Sequence, residues 1–316
     1  MRVLFWGTSL FGIPSLRALI GEGFDLAGVV TQPDRPVGRS RSTLVPPAVK
    51  EVALAEKLPV FQPEKLRDSE FCTAIRALEP DISVVISYGK ILSQEIIDIP
   101  RRGTVNVHAS LLPKLRGASP IQTAIREGFI ETGVTVMRMV ARLDAGPIIF
   151  QARTPIAEDE TAGELELRLS ELGALALVET LTLLELGKAA ERPQDETAAT
   201  FTTLIDRGMT RVNWLDEAGT IARFIRAYDP RPGAYSSLNG KDVKMFGAAA
   251  TDDTGTNGGP SRKVGEVLSI DGSGMLIACG DGAVRVSDVQ PSGKRRTSVQ
   301  DWARGHGVRV GDRFGD

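Results

Sequence analysis

The sequence predicts a two-part α/β protein: a Rossmann-like, mostly parallel sheet domain, then a C-terminal small open β-barrel of the OB-like kind. Three observations carry this expectation. Over the first ~150 residues, short apolar runs alternate with amphipathic stretches, the pattern of a parallel sheet covered by helices on both faces. From Pro232 the text changes to short β-rich runs separated by Gly, Asp and Ser clusters, as in small barrels. The length of 316 residues exceeds one typical domain and suits two.

Element by element, Arg2–Trp6 reads as a strand, Gly7 as its turn and Leu10–Gly21 as a helix. Leu26–Thr31 is the second strand, followed by a loop rich in Pro, Gly and Arg (QPDRPVGRSRSTLVPP). Pro46–Lys57 returns as a helix with its prolines at the start, where a missing N–H costs least. Val60–Phe61 is a short strand, Asp68–Leu78 a helix, and Ile82–Ser87 a buried strand. Thr104–His108 is a strand, Ser119–Glu127 a helix, and Thr135–Met139 and Ile148–Gln151 two further strands. A long helix over Ala162–Leu186 ends at Gly187, and the polar run KAAERPQDETAATF reads as a linker. The expected division is therefore 1–187 for the sheet domain, 188–207 for the linker and 208–316 for the barrel domain. In the last part, Asp216–Ala227 is an amphipathic helix, with strands expected at Val243–Phe246, Gly265–Leu268, Met275–Ala278 and Val284–Val286. The Gly-, Asp- and Thr-rich stretch Thr251–Ser261 is expected to be a mobile loop.

Composition narrows the classes of function. Hydrophobic residues make up 42% and charged residues 25%, as in ordinary globular proteins. The apolar stretches are strand-sized, short of the ~20 residues a membrane span needs, and the first residues read as a core strand, not a signal peptide. Two cysteines, Cys72 and Cys279, make neither a disulfide framework nor a zinc site and fit a reducing cytoplasm. The net charge of −2 carries no general nucleic-acid signature. From Arg207 onward, however, 16 Lys and Arg face 13 Asp and Glu, against 22 and 27 before it. That mild asymmetry permits RNA contact by the second part.

The chemistry concentrates in NVHASLLPKLRG, Asn106–Gly117. Residues two apart on a strand share a face, so Asn106 and His108 point together at the strand's C-terminal end, where open α/β sheets bind ligands. An amide can donate to a developing oxyanion, and an imidazole can donate or shuttle a proton. Ser110, Leu111, Leu112 and Pro113 form a turn suited to walling a flat aromatic ligand. Asp144, in ARLDAGP, is the candidate carboxylate to orient the imidazole. His306, in RGHGVRVGD, reads as a loop histidine without a chemical role. The Gly7–Gly12 turn is no dinucleotide fingerprint, because Ser9 replaces the second glycine and the second strand ends without an acid.

Taken as an ordered set, Asn106, His108, the SLLP run, Arg116-Gly117 and LDAG resemble the folate-dependent formyltransferases. The resemblance extends along the chain, through GTSLFG at Gly7–Gly12 and ETGVTVMRM at Glu131–Met139. ISYGKIL resembles the family's pterin-pocket segment, which implies Ile86, Tyr88, Gly89, Ile91 and Leu92 as folate contacts beside Ser110–Pro113. It implies Asn106, His108 and Asp144 as the catalytic group, 10-formyltetrahydrofolate as co-substrate and no metal. TQPDRPVGRSR, Thr31–Arg41, resembles the basic loop of the methionyl-tRNA branch, implying that Arg35, Arg39 and Arg41 contact the acceptor end of the tRNA. The tail VQPSGKRRTSVQDWARG with Lys294, Arg295 and Arg296, NW at Asn213–Trp214, and RPGAY at Arg231–Tyr235 resemble that branch's tRNA-assisting barrel. Initiator methionyl-tRNA is the partner so implied, for a cytoplasmic monomer. The chain departs from the pattern at Ser9, at Ser40-Arg41-Ser42 and at Arg231, away from the Asn/His/Asp group. A nucleotide-sugar formyltransferase, a nicotinamide-dependent reductase and a non-catalytic RNA-binding module are the competing readings.

Overall fold

The computed structural model describes residues 1–37, 43–251 and 263–315. In chain order the elements begin with β1 (Arg2–Gly7), α1 (Ile13–Gly21), β2 (Asp25–Val30), β3 (Arg35–Val37), β4 (Thr43–Val45) and α2 (Ala48–Ala55). Next come β5 (Val60–Phe61), α3 (Ser69–Ala77), β6 (Ile82–Ile86), α4 (Gln94–Ile97), β7 (Thr104–His108), β8 (Arg116–Gly117) and α5 (Pro120–Arg126). They continue with β9 (Glu131–Arg138), β10 (Ile148–Pro155), α6 (Ala162–Glu185), β11 (Phe201–Thr202), α7 (Ala218–Ala227) and β12 (Ala234–Leu238). The last are β13 (Lys241–Thr251), β14 (Val267–Asp271), β15 (Gly274–Ala278), β16 (Ala283–Pro291), β17 (Thr297–Ser298) and α8 (Val299–Arg304). Two compact units emerge: residues 1–117, 131–155 and 166–202 form one, and 118–130, 156–165 and 203–316 the other.

The first unit is built on a seven-stranded sheet ordered β10-β9-β7-β6-β1-β2-β5. The five strands from β5 to β7 run parallel, and β9 and β10 close one side antiparallel. The parallel strands are apolar almost throughout: Ile82–Ile86 is wholly buried, and Val3–Trp6 nearly so. Strands covered on both faces lose the alternating pattern for this reason. From β1 the chain first builds toward β2 and β5 and later resumes on the other side with β6 and β7. That reversal makes a switch point beyond the C-terminal ends of β1 and β6. The loops leaving those two strands are tied together there. Thr8 Oγ1 donates to Tyr88 O at 2.8 Å, and Ser9 Oγ donates to Ser87 Oγ at 2.8 Å.

The second unit carries an antiparallel sheet ordered β12-β13-β16-β15-β14, with β17 on β16. Its free edges are joined by the last residues of the chain. Phe314 N donates to Gly265 O at 2.8 Å, and Gly315 N donates to Ser237 O at 2.9 Å. Capping both edges at one end in this way gives the open barrel the sequence led us to expect. The apolar face of α7 (Ile221, Ala222, Ile225) packs into the barrel core with Met245, Ile277, Val284 and Val286.

Some expectations shift. The Arg-rich loop contains an antiparallel hairpin of β3 and β4, and its base is pinned by Asp34, whose carboxylate accepts from Lys50 and Gln62. β9 and β10 run further than the sequence suggests, because their mutual ladder continues to Glu131 and Pro155, on β9 through the buried Thr132–Val134. The region read as a mobile loop, Thr251–Ser261, falls outside the described residues beyond Thr251. The polar run after Gly187 is anchored to the first unit: Arg192 exchanges backbone hydrogen bonds with Ile148, and β11 pairs with β8.

Candidate active site

His108 ends β7 with only 7% of its surface exposed. Its Nε2 lies 2.9 Å from Leu115 O, a backbone acceptor, so this nitrogen carries the hydrogen and donates. Nδ1 then faces Asp144 Oδ2 at 3.7 Å. That separation is too long for a hydrogen bond, so the carboxylate acts on the ring through charge. A proton accepted at Nδ1 would convert the contact into an ion pair, and such contacts tighten when substrate binds. Asn106, two residues earlier on the same face, donates from Nδ2 to Val85 O at 3.0 Å. One amide hydrogen is thereby fixed, which orients the group and leaves the second for a ligand.

Asp144 sits on a turn at φ +48, a left-handed conformation that short polar side chains tolerate. Several contacts hold it there. Gly117 N donates to its Oδ2 at 2.8 Å, and Gln194 Nε2 donates to both Asp144 O and Gly146 O at 2.8 Å. Gly117 itself is at φ +114 against the Thr202 carbonyl, and Gly146 lies against the Arg138 carbonyl, so neither position has room for a Cβ. Arg116 is fully buried and forks onto the Gln194 side-chain oxygen and the Glu196 carboxylate. Arg142, on the Asp144 turn, reaches the same carboxylate at 2.6 Å. Hydrogen bonds from Arg116 and then Arg142 pull Glu196 down to about 2.

The residues expected to line a folate pocket divide into two groups. Ile86, Tyr88 and Leu92 are buried; Tyr88 and Leu92 belong to a core cluster with Leu4, Trp6 and Ile75. Tyr88 packs edge-on to Trp6 at 5.3 Å, and burial raises its hydroxyl to about 12. Leu112 is likewise buried, against Met137 and Ile148, and Ser110 Oγ donates to Lys114 O at 2.6 Å. Gly89, at φ +84, borders open space, Ile91 is 84% exposed, and Leu111 and Pro113 are partly exposed. Gly89, Ile91, Leu111 and Pro113 are thus the accessible members of the set, while the buried side chains shape the two segments that carry them.

The basic residues also separate. Arg35 is exposed on β3, and Arg39 and Arg41 lie outside the described residues. Lys294 and Arg295 are exposed, Lys294 on the rim of a groove of about 510 Å³ that includes Arg207, Tyr235 and Lys244. Arg296 instead bonds Asp229 at 2.9 Å and Asp288 at 3.0 Å and stacks on Phe246 at 4.3 Å. His306 is exposed. Among the described residues there is no cluster of His, Cys, Asp or Glu able to hold a metal ion, and no helix is long and apolar enough to cross a membrane. Leu115, Gln194, Glu196 and Thr200 were not singled out by sequence. Their contacts lie on loops, and polar residues in such segments ordinarily face solvent.

A histidine at the sheet's C-terminal edge, with an amide beside it and a carboxylate behind it, has the polar groups that acyl-group transfer uses. Family comparison gives the class. Residues 1–181 match the family described as formyl transferase, and residues 204–307 match the formyl transferase C-terminal domain. The chain belongs to the formyl transferase family. A methionyl-tRNA formyltransferase from Moorella thermoacetica is 42% identical over 315 residues, covering 100% of this chain and 99% of that protein. Among solved structures, HypX from Aquifex aeolicus in complex with tetrahydrofolic acid superposes with a TM-score of 0.67 at 20% identity, covering 99% of this chain and 50% of that one. An N-formyltransferase from Helicobacter canadensis, in complex with folinic acid and dTDP-3-aminofucose, gives 0.67 at 18% identity, covering 92% and 99%. At these identities the two structures share the fold with this chain.

Proposed function

We propose that the chain transfers the formyl group of 10-formyltetrahydrofolate to the α-amino group of initiator methionyl-tRNA, as a cytoplasmic monomer serving translation initiation. The observation that carries this reading is the end-to-end similarity to a methionyl-tRNA formyltransferase, which covers both matched regions without a gap in coverage. In this reading residues 1–187 are catalytic, 188–207 link, and 208–316 assist tRNA binding. Folate complexes of two proteins sharing the fold support a folate donor.

The folate supplies an activated formyl carbon. The amine attacks that carbon, the bond from carbon to N10 breaks, and the proton lost by the amine ends on N10. The free hydrogen of Asn106 Nδ2 donates to the oxyanion that develops on the formyl oxygen, and the His108 ring, whose Nε2 is committed to Leu115 O, stabilises it through charge and not by a hydrogen bond. Asp144 orients the ring and balances its charge across the Nδ1 face. Folate binds along 86–92 and 110–113, with Gly89, Ile91, Leu111 and Pro113 in contact, and Ile86, Tyr88, Leu92, Ser110 and Leu112 supporting from the core. Arg35, Arg39, Arg41, Lys294 and Arg295 meet tRNA phosphates; Arg296 serves the barrel's own packing.

The test is formyl transfer from 10-formyltetrahydrofolate with three acceptors in parallel: charged initiator tRNA, charged elongator methionyl-tRNA and an amino-sugar nucleotide. Product on the initiator alone is expected. Product on the sugar alone would retain the catalytic group and overturn the acceptor. Silence on all three would return the chain to a binding role.

A further inference from the structure

Both groups that face the nitrogens of His108 are mounted on one segment, residues 194–202. On the Nε2 side the acceptor is Leu115 O. Leu115 N donates to Thr200 Oγ1 at 2.8 Å, Thr200 N donates to Pro113 O at 3.3 Å, and Arg116 N donates to Thr200 O at 2.9 Å. The loop carrying Leu115 is thus clasped by Thr200 from both sides of that residue. On the Nδ1 side stands Asp144. Gln194 Nε2 holds the carbonyls of Asp144 and Gly146, while Gln194 Oε1 accepts from the buried Arg116 at 3.0 and 2.8 Å. Asp tolerates the left-handed conformation of this turn, and Gln194 holds the turn from outside it through two carbonyls.

We infer that Gln194 and Thr200 are positioning residues for formyl transfer, Gln194 setting the Asp144 carboxylate against Nδ1 of His108 and Thr200 setting Leu115 O against Nε2. The inference rests on the catalytic reading of His108 and Asp144. Gln194 is suited to the task because a side-chain amide accepts and donates at once. Its oxygen answers a guanidinium and its nitrogen answers two carbonyls, so no other uncharged side chain of that length fits both sides. The strap as a whole has independent anchors in Glu196, β11 and the Arg192 pairing, so loss of one Gln194 bond need not release it.

Two substitutions separate positioning from simple anchorage. Gln194→Glu keeps and strengthens the bond to Arg116 but cannot donate to the Asp144 turn. Thr200→Val removes the acceptor for Leu115 N, and Thr200→Ser restores it. Each loss is expected to lower kcat on the order of 10²-fold, the usual result of a 1 Å misplacement at a reacting centre. KM for donor and acceptor should stay near wild type, and Thr200→Ser should recover kcat. A second readout does not depend on turnover. The chain has two histidines, so the ring ¹⁵N signals of His108 and His306 can be assigned against His306→Gln. Gln194→Glu should change the His108 signals and leave those of His306 in place. An unchanged His108 ring, or wild-type kcat in Gln194→Glu or in Thr200→Val, overturns the inference. Inactive wild-type protein would instead overturn the proposed function, and the ring signals would still report on Gln194.

Discussion

At the edge of the parallel sheet, polar side chains are gripped by backbone; in the C-terminal barrel, they grip one another near the surface. His108 is held by a carbonyl, Asn106 by a carbonyl and Asp144 by a backbone amide, all partly or wholly out of solvent. Arg296 is held by two carboxylates and a ring, with 40% of its side chain exposed, and its neighbours Lys294 and Arg295 extend into solvent. Backbone partners fix a group's position to within the rigidity of the sheet, as a reacting centre requires. Exposed cations keep their rotamer freedom and suit a partner that is bound through many phosphates and read at none of them singly.

The largest effect separates the two regions outright. Asn106→Ala and His108→Ala should each lower kcat by ~10²–10³ in protein that remains folded, because removing one group that stabilises an oxyanion costs that much. Near-wild-type turnover in either folded variant would remove that residue from the chemistry. In the barrel the expectation reverses. Arg296→Ala leaves the nearly buried Asp229 with the Gly247 amide alone, and should cost ~1–3 kcal/mol of stability in denaturant unfolding. Lys294→Ala and Arg295→Ala should leave stability within ~0.5 kcal/mol. They should flatten the salt dependence of tRNA binding by about one unit of slope per lost phosphate contact. Equal stability losses in all three variants would erase the distinction between Arg296 and its neighbours.

A smaller effect probes the strap beside the sheet. Glu196 is lowered from 4.5 to about 2 by Arg116 and Arg142, so its contribution is complete above the ordinary carboxylate range and fades as pH falls through about 2. The melting-temperature gap between wild type and Glu196→Gln should be constant above about pH 5, narrow below 4.5 and close near 2. A gap independent of pH would mean that the carboxylate's charge is not what binds the two arginines.

The same contrast explains what could be read in the chain. Asn106 and His108 were legible because strand spacing alone puts them on one face, with Val105 and Val107 buried on the other. Asp144 was singled out by the ordered set that resembles the formyltransferases, since a Gly-containing turn by itself marks only a turn. Tyr88 and Leu92 show the limit: their residue types fit a ligand wall and a hydrophobic core equally, and the fold places both in the core. Gln194 and Thr200 lie in a run whose composition says only that it is polar. Their partners are 48 or more residues away in sequence, so local patterns carry no trace of them. Arg296 failed to stand apart from Lys294 and Arg295 for a related reason, since the buried one of its two carboxylate partners, Asp229, is 67 residues distant.

The most direct test is a double-mutant cycle in single-turnover formyl transfer to charged initiator tRNA, comparing wild type, His108→Ala, Asp144→Asn and the double variant. If Asp144 acts through His108, the double variant will be no slower than His108→Ala alone, as expected of residues that work as one unit. Multiplicative losses in the double variant would contradict the account and give Asp144 a separate role in the reaction.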